Sequence, residues 1–269
     1  MTRLRFRRLR SVVMMLSLGL GLLVGGCGGT TWSQVTEKFE QGYQAQRSYE
    51  DGLERYRARD YAGAIPLFQR ALAIEPTFDD AEAHLAWSYY QTGEYAQATR
   101  HFRQALVRQP RWEGLHNGLG WSRFRVGRYH LAVEAFREAL DLDPRYRDSA
   151  VGLAYSLFEL GQYAEALPHL ERLTKEGEGH ALQTPAKDVE DVRSRFAWTL
   201  FYLGQYEKAR EQFLHGLAAR PDWYGLHTGL GWTYLKLGDR VQARAEFRRA
   251  LQLQPDFADA KEGLAQAGR

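Results

Sequence analysis

Cys27 is the only thiol in this chain, and its eight histidines are scattered. A single cysteine has no intramolecular disulfide partner and cannot form a cysteine metal cluster. The histidines lack the short spacings that gather metal ligands. His116 and His227 lie in matching surroundings 111 residues apart, so they cannot share a metal, and each is expected to pack or to hydrogen-bond. No H-E-x-x-H, G-x-S-x-G or phosphate-cradling glycine loop occurs. Neither a catalytic centre nor a cofactor is therefore expected. Aromatic side chains are the plentiful chemistry. Trp87, Trp121, Tyr155, Trp198 and Trp232 recur along the chain, each followed three residues later by Tyr90, Phe124, Phe158, Phe201 or Leu235. Such rings combine a large contact area with a polar handle.

The elements that carry these rings follow from a repeat. At an offset of 34 residues Gly93, Gly127 and Gly161 align, as do Tyr95, Tyr129 and Tyr163, and Ala98, Ala132 and Ala166. The same register collects Phe68, Phe102, Phe136, Phe213 and Phe247, and also Pro76, Pro110, Pro144, Pro221 and Pro255. Spacing of this kind resembles the tetratricopeptide repeat, whose pattern runs W-x2-L-G-x2-Y, A-x3-F, P. Leu119-Gly120, Ala132, Phe136, Ala139 and Pro144 match it, as do Leu230-Gly231, Tyr234, Ala243, Phe247, Ala250 and Pro255.

The resemblance implies an all-α, right-handed superhelical solenoid of about six helix-turn-helix units. The copies are 45–78, 79–112, 113–146, 147 to about 174, 190–223 and 224–257, with 258–269 as a capping helix. Small residues such as Gly120 and Ala132 let paired helices approach, Phe136 fills the gap, and Pro144 ends the second helix. The fourth copy lacks its proline and runs into Lys175-Glu176-Gly177-Glu178-Gly179, so residues 175–189 are expected to be a loop insertion. Above this period, Trp112-x-Gly114-Leu115-His116-x-Gly118-Leu119-Gly120-Trp121 returns as Trp223-x-Gly225-Leu226-His227-x-Gly229-Leu230-Gly231-Trp232. Duplication of a three-repeat block explains it.

In such a family the first helix of each unit lines the concave surface used for binding. Trp87, Trp121, Tyr155, Trp198 and Trp232 fall at its ninth position and Tyr90, Phe124, Phe158 and Phe201 at its twelfth, on one stripe. Two readings stay open: the rings form a partner-binding groove, or they thicken the core. Phe78, Trp112, Tyr146, Trp223 and Phe257 close each repeat, where a residue after the proline staples the next helix.

The amino terminus is a separate element. Arg3, Arg5, Arg7, Arg8 and Arg10 precede an apolar run from Val12 to Val24, the layout of a secretory signal. The run is shorter than the roughly 20 residues of a membrane span. Val24-Gly25-Gly26-Cys27 resembles the bacterial lipoprotein signal, which implies cleavage after residue 26, a lipid on the Cys27 sulfur and a membrane anchor. Gly28 is not the aspartate that retains such proteins at the inner membrane, which implies the outer membrane, facing the periplasm. Residues 27–44 are expected to be a tether.

The whole chain carries a formal charge of +3, but without residues 1–26 the remaining 31 basic and 33 acidic side chains leave −2. The basic character belongs to the leader, and nucleic acid is not an expected partner. The expected function is a scaffold in the bacterial envelope holding a protein or peptide. A carbohydrate-binding factor in polysaccharide export is the alternative that the aromatic rows suggest.

Overall fold

The structure, a computed structural model, describes residues 32–179 and 186–269. Among them are thirteen helices and no strand. They are α1 (Trp32–Arg57), α2 (Tyr61–Ile74), α3 (Asp79–Gln91), α4 (Tyr95–Arg108), α5 (Glu113–Arg125), α6 (Tyr129–Leu142), α7 (Arg147–Glu159), α8 (Tyr163–Gly179), α9 (Ala186–Tyr202), α10 (Tyr206–Ala219), α11 (Tyr224–Lys236), α12 (Arg240–Leu253) and α13 (Ala258–Gly268). The chain divides into two units, one ending at Leu85 and one running from Ala86 to Arg269.

In the first unit α1 packs against α2. Phe68 is fully buried, and a Cβ on Gly52 would lie 2.8 Å from its ring, so this glycine admits the aromatic side chain. Asp60 caps α2 by accepting the Gly63 N–H at 2.9 Å. The segment read as a tether is helical from Trp32 onward. Its polar residues, among them Glu37, Lys38, Glu40, Gln41 and Gln44, are strong helix formers, and Gln41 donates to Glu37 one turn earlier. The sparse apolar content hid a helix that starts well before its buried part at Ala45, Ser48 and Tyr49.

In the second unit each helix packs on the next in order, and first helices also touch first helices: α5 on α7, α7 on α9, α9 on α11, α11 on α13. The repeated joint is a phenylalanine between two glycines. Phe136 of α6 is wholly buried; a Cβ on Gly120 of its own unit would come within 2.6 Å of the ring, and one on Gly152 of the next within 2.2 Å. Phe247 stands likewise between Gly231 and Gly263, and Gly118 and Gly229 receive Phe102 and Phe213. Only hydrogen leaves room there, as close-packed interiors demand.

Between the paired helices the chain turns through Gly93, Gly127, Gly161, Gly204 and Gly238, with φ from 71° to 85°. Gly127 N–H donates to Phe124 O and Arg128 N–H to Arg123 O, the bonding of a glycine-terminated helix.

The fourth unit differs from expectation. Helix α8 continues to Gly179, through the start of the segment read as a loop, because Lys175 pairs with Glu171 at 2.8 Å and Arg172 with Glu176 at 3.7 Å along the helix. Helix α9 begins at Ala186, before residue 190. Leu170 fills the place of the phenylalanine, and Arg195 the place of the glycine that would have faced it. The smaller side chain removes the need for that glycine. Cys27 and the signal at 1–26 lie outside the described residues.

Candidate aromatic face of the first helices

The aromatic stripe belongs to the second unit and is carried by the end of α3 and by α5, α7, α9 and α11. All nine predicted residues, Trp87, Tyr90, Trp121, Phe124, Tyr155, Phe158, Trp198, Phe201 and Trp232, are half-buried. The reason is shared. Each tryptophan sets its ring edge-on against the buried phenylalanine of its own unit: Trp87 on Phe102 at 5.0 Å, Trp121 on Phe136 at 5.2 Å, Trp198 on Phe213 and Trp232 on Phe247 at 5.3 Å. The inner edge extends the core while the outer edge keeps contact with solvent, so the two sequence readings describe the two sides of one ring.

The twelfth-position rings are held from the side. Tyr90 meets Tyr95 at 5.5 Å, Phe124 meets Tyr129 at 5.3 Å, and Phe158 and Phe201 meet Tyr163 and Tyr206 at 5.5 Å each. Burial pushes the Tyr90 phenol up, with Arg125 pulling the other way. Trp121 approaches Tyr155 across α5 and α7 at 6.4 Å. Trp87 and Trp232 meet only rings of their own units among the described residues.

Several residues on this face were not singled out from sequence. Trp121 Nε1 donates to Asp148 Oδ2 at 2.9 Å, and Trp232 Nε1 donates to Asp259 Oδ1 at 2.9 Å. Both acids sit 27 residues after their tryptophan, in the first turn of the next first helix. Asn117, buried, also donates to Asp148 at 2.7 Å and accepts from Ser149 at 2.9 Å. The Arg195 guanidinium lies 3.8 Å over the Tyr155 ring, within cation–π range, and 3.5 Å from Glu159.

Tyr202 is 51% exposed and stacks on Tyr163 at 4.5 Å, with Trp198 behind it at 5.8 Å. Its phenol is raised by burial, then by Tyr163 and Asp259. The available signal was an aromatic residue at a place where Arg125, Glu159 and Lys236 stand in other copies.

The histidines are tied to the backbone: His116 Nε2 pairs with Pro110 O at 2.9 Å and His227 Nε2 with Pro221 O at 2.8 Å. Among the described residues no group of three or more His, Cys, Asp or Glu could hold a metal ion.

The tetratricopeptide repeat family matches residues 55–119, 117–181 and 225–257, together more than half of the chain. No curated protein matches the sequence. Among solved structures, the chain is similar to YrrB, a TPR protein with an unusual peptide-binding site, at 22% identity and a TM-score of 0.62 over 72% of this chain and 96% of that one. It is similar to PilF of Pseudomonas aeruginosa at 20% identity and a TM-score of 0.63, over 84% of this chain and 99% of that one. MamA of Desulfovibrio magneticus RS-1 matches at 18% identity and a TM-score of 0.59, over 67% and 97%. At these identities the likeness is one of fold. With its register of glycine, phenylalanine and proline and its consecutive helix pairs, the chain belongs to the tetratricopeptide repeat family.

Proposed function

We propose that this protein is an envelope-anchored scaffold that holds a protein or peptide partner on the aromatic face of its first helices, within an assembly or secretion pathway. Its anchor is a lipid on Cys27 left after removal of residues 1–26, and Gly28 directs it to the outer membrane, facing the periplasm. The support for the anchor is the Arg-rich start, the apolar run and the Val24-Gly25-Gly26-Cys27 site. No described helix is long and apolar enough to cross a membrane.

The observation that carries the binding reading is the row of half-buried rings, each fixed by the core on one edge and open on the other. Rings immobilised in advance lose little entropy on binding and make effective anchors. YrrB, which shares the fold, is described as having a peptide-binding site. The test is cross-linking and mass spectrometry on the membrane-anchored protein in its native cells, comparing wild type with Trp121→Ala, Trp232→Ala. A specific envelope protein recovered by the wild type and lost by the folded variant supports the scaffold. Recovery of no protein partner removes it.

A second reading is carbohydrate binding in polysaccharide export, favoured by the Tyr163–Tyr202–Trp198 stack with Glu159 and Arg195 nearby. Oligosaccharide would then quench tryptophan fluorescence saturably. Lack of quenching by wall and capsular glycans alike would remove this reading.

A further inference from the structure

Four tryptophans share one position on α3, α5, α9 and α11, yet they are not equivalent. Trp121 and Trp232 deliver their N–H to a carboxylate of the following first helix, both at 2.9 Å. At Trp87 and Trp198 the residue 27 places on is Gly114 or Gly225, which has no side chain to accept it. Among the described residues nothing accepts from Trp87 Nε1 or Trp198 Nε1, and both rings are half-buried rather than sealed in. The two glycines also border a second indole each. The Cβ position of Gly114 lies 3.0 Å from Trp112 Nε1, and that of Gly225 lies 3.3 Å from Trp223 Nε1. Two indole donors therefore adjoin each glycine, in the register where the chain elsewhere places a carboxylate.

The charges on this face point the same way. Its acids are engaged, Asp148 with Trp121 and Asn117, Asp259 with Trp232, and Glu159 with Arg195. The cations Arg125 and Lys236, 111 residues apart and at the same helix position, pair with no described carboxylate. Arg125 instead lies 4.8 Å over Tyr95, which adjoins Tyr90 and through it Trp87. Around each open indole the face thus has free donors and unmatched positive charge.

We propose that the second unit holds two copies of one binding cradle, Trp87–Trp112–Gly114–Arg125 and Trp198–Trp223–Gly225–Lys236, each taking an aspartate or glutamate carboxylate of the same partner polypeptide. Asp148 and Asp259 are internal mimics of that ligand. Because the cradles arise from one duplicated block, they select the same group twice, and a partner with two acidic segments gains from holding both at once. This rests on the reading of the chain as a protein-binding scaffold, and names what the partner presents.

The test uses the full chain with 15N-labelled indoles and hexaglutamate as probe, hexaglutamine as control, with resonances assigned through Trp87→Phe and Trp198→Phe. Hexaglutamate should shift the Nε1–H signals of Trp87 and Trp198 with a common midpoint while those of Trp121 and Trp232 stay in place. Hexaglutamine should shift neither. Gly225→Asp, which supplies the second cradle with its own carboxylate, should abolish the Trp198 response and leave that of Trp87. Two triglutamate segments on a flexible linker should bind about tenfold or more tighter than one, and Gly225→Asp should remove that gain. No shift at Trp87 and Trp198, or an equal response to hexaglutamine, overturns the proposal. If the native cross-linking still yields an envelope partner in that case, the scaffold reading survives and only the carboxylate cradles fail; if it yields none, both fail.

Discussion

Phe136 and Gly152 meet so closely that one methyl group on the glycine would lie 2.2 Å from the ring edge. The ring is wholly buried and has nowhere to move. Gly152→Ala should cost about 2 kcal/mol or more, as expected for overpacking. Gly42→Ala on α1, with nothing within 4 Å, should stabilise by about 0.5–1 kcal/mol through helix propensity. Urea unfolding of the two variants checks both signs, and equal effects would refute the packing account.

The two tryptophan-to-aspartate bonds have unequal supports. Asn117 is buried and relies on Asp148, whereas the corresponding Thr228 donates to its own helix at Tyr224 O. Asp148→Ala therefore strands a buried amide and should cost on the order of 2–3 kcal/mol, but Asp259→Ala only about 1 kcal/mol. The check is the difference in denaturant midpoint between the two variants.

His227 and His116 diverge in the same manner. His227 Nδ1 lies 2.7 Å from Glu246 Oε2 while its Nε2 faces Pro221 O; both partners are acceptors, so the doubly protonated ring satisfies both. Burial disfavours that charge, but the Glu246 hydrogen bond, the Pro221 carbonyl and attraction to Glu246 outweigh it and raise the pKa. A raised folded-state value means stabilisation present below the ordinary histidine range and lost as pH rises through the folded pKa. Stability should thus decline from about pH 6.5 upward, and Glu246→Gln should flatten that slope. His116 has Ala135 in place of the acid, so His116→Gln should leave the profile unchanged.

Arg59 occupies the turn between α1 and α2 with φ 61°, where other turns have glycine. A side chain in this left-handed conformation costs roughly 1–2 kcal/mol. Arg59→Gly should recover about 0.5–1 kcal/mol, less than the full strain because glycine is freer in the unfolded chain. Thermal unfolding of the full chain reads this directly.

The joints were visible in the sequence because they depend on residue type at fixed spacing: Phe136 with Gly120, and Phe247 with Gly231, fall within one repeat. The aromatic rows were visible for the same reason. The Trp121–Asp148 bond was not, because it crosses from one unit to the next, and the reach between neighbouring first helices depends on how units stack. Helix periodicity does not encode that geometry. The start of α1 was missed because helix-forming polar residues without an apolar stripe resemble a linker.

Each phenylalanine is clasped from behind by its own unit and from ahead by its successor, which makes the joints interchangeable. A whole number of units added between two joints meets the same surfaces on either side, so no core has to be redesigned. Sequence recurring at 111 residues is the outcome such an assembly permits. The last joint, Phe247 against Gly263 of α13, makes the closing helix the stop that lets the series end with its final ring covered.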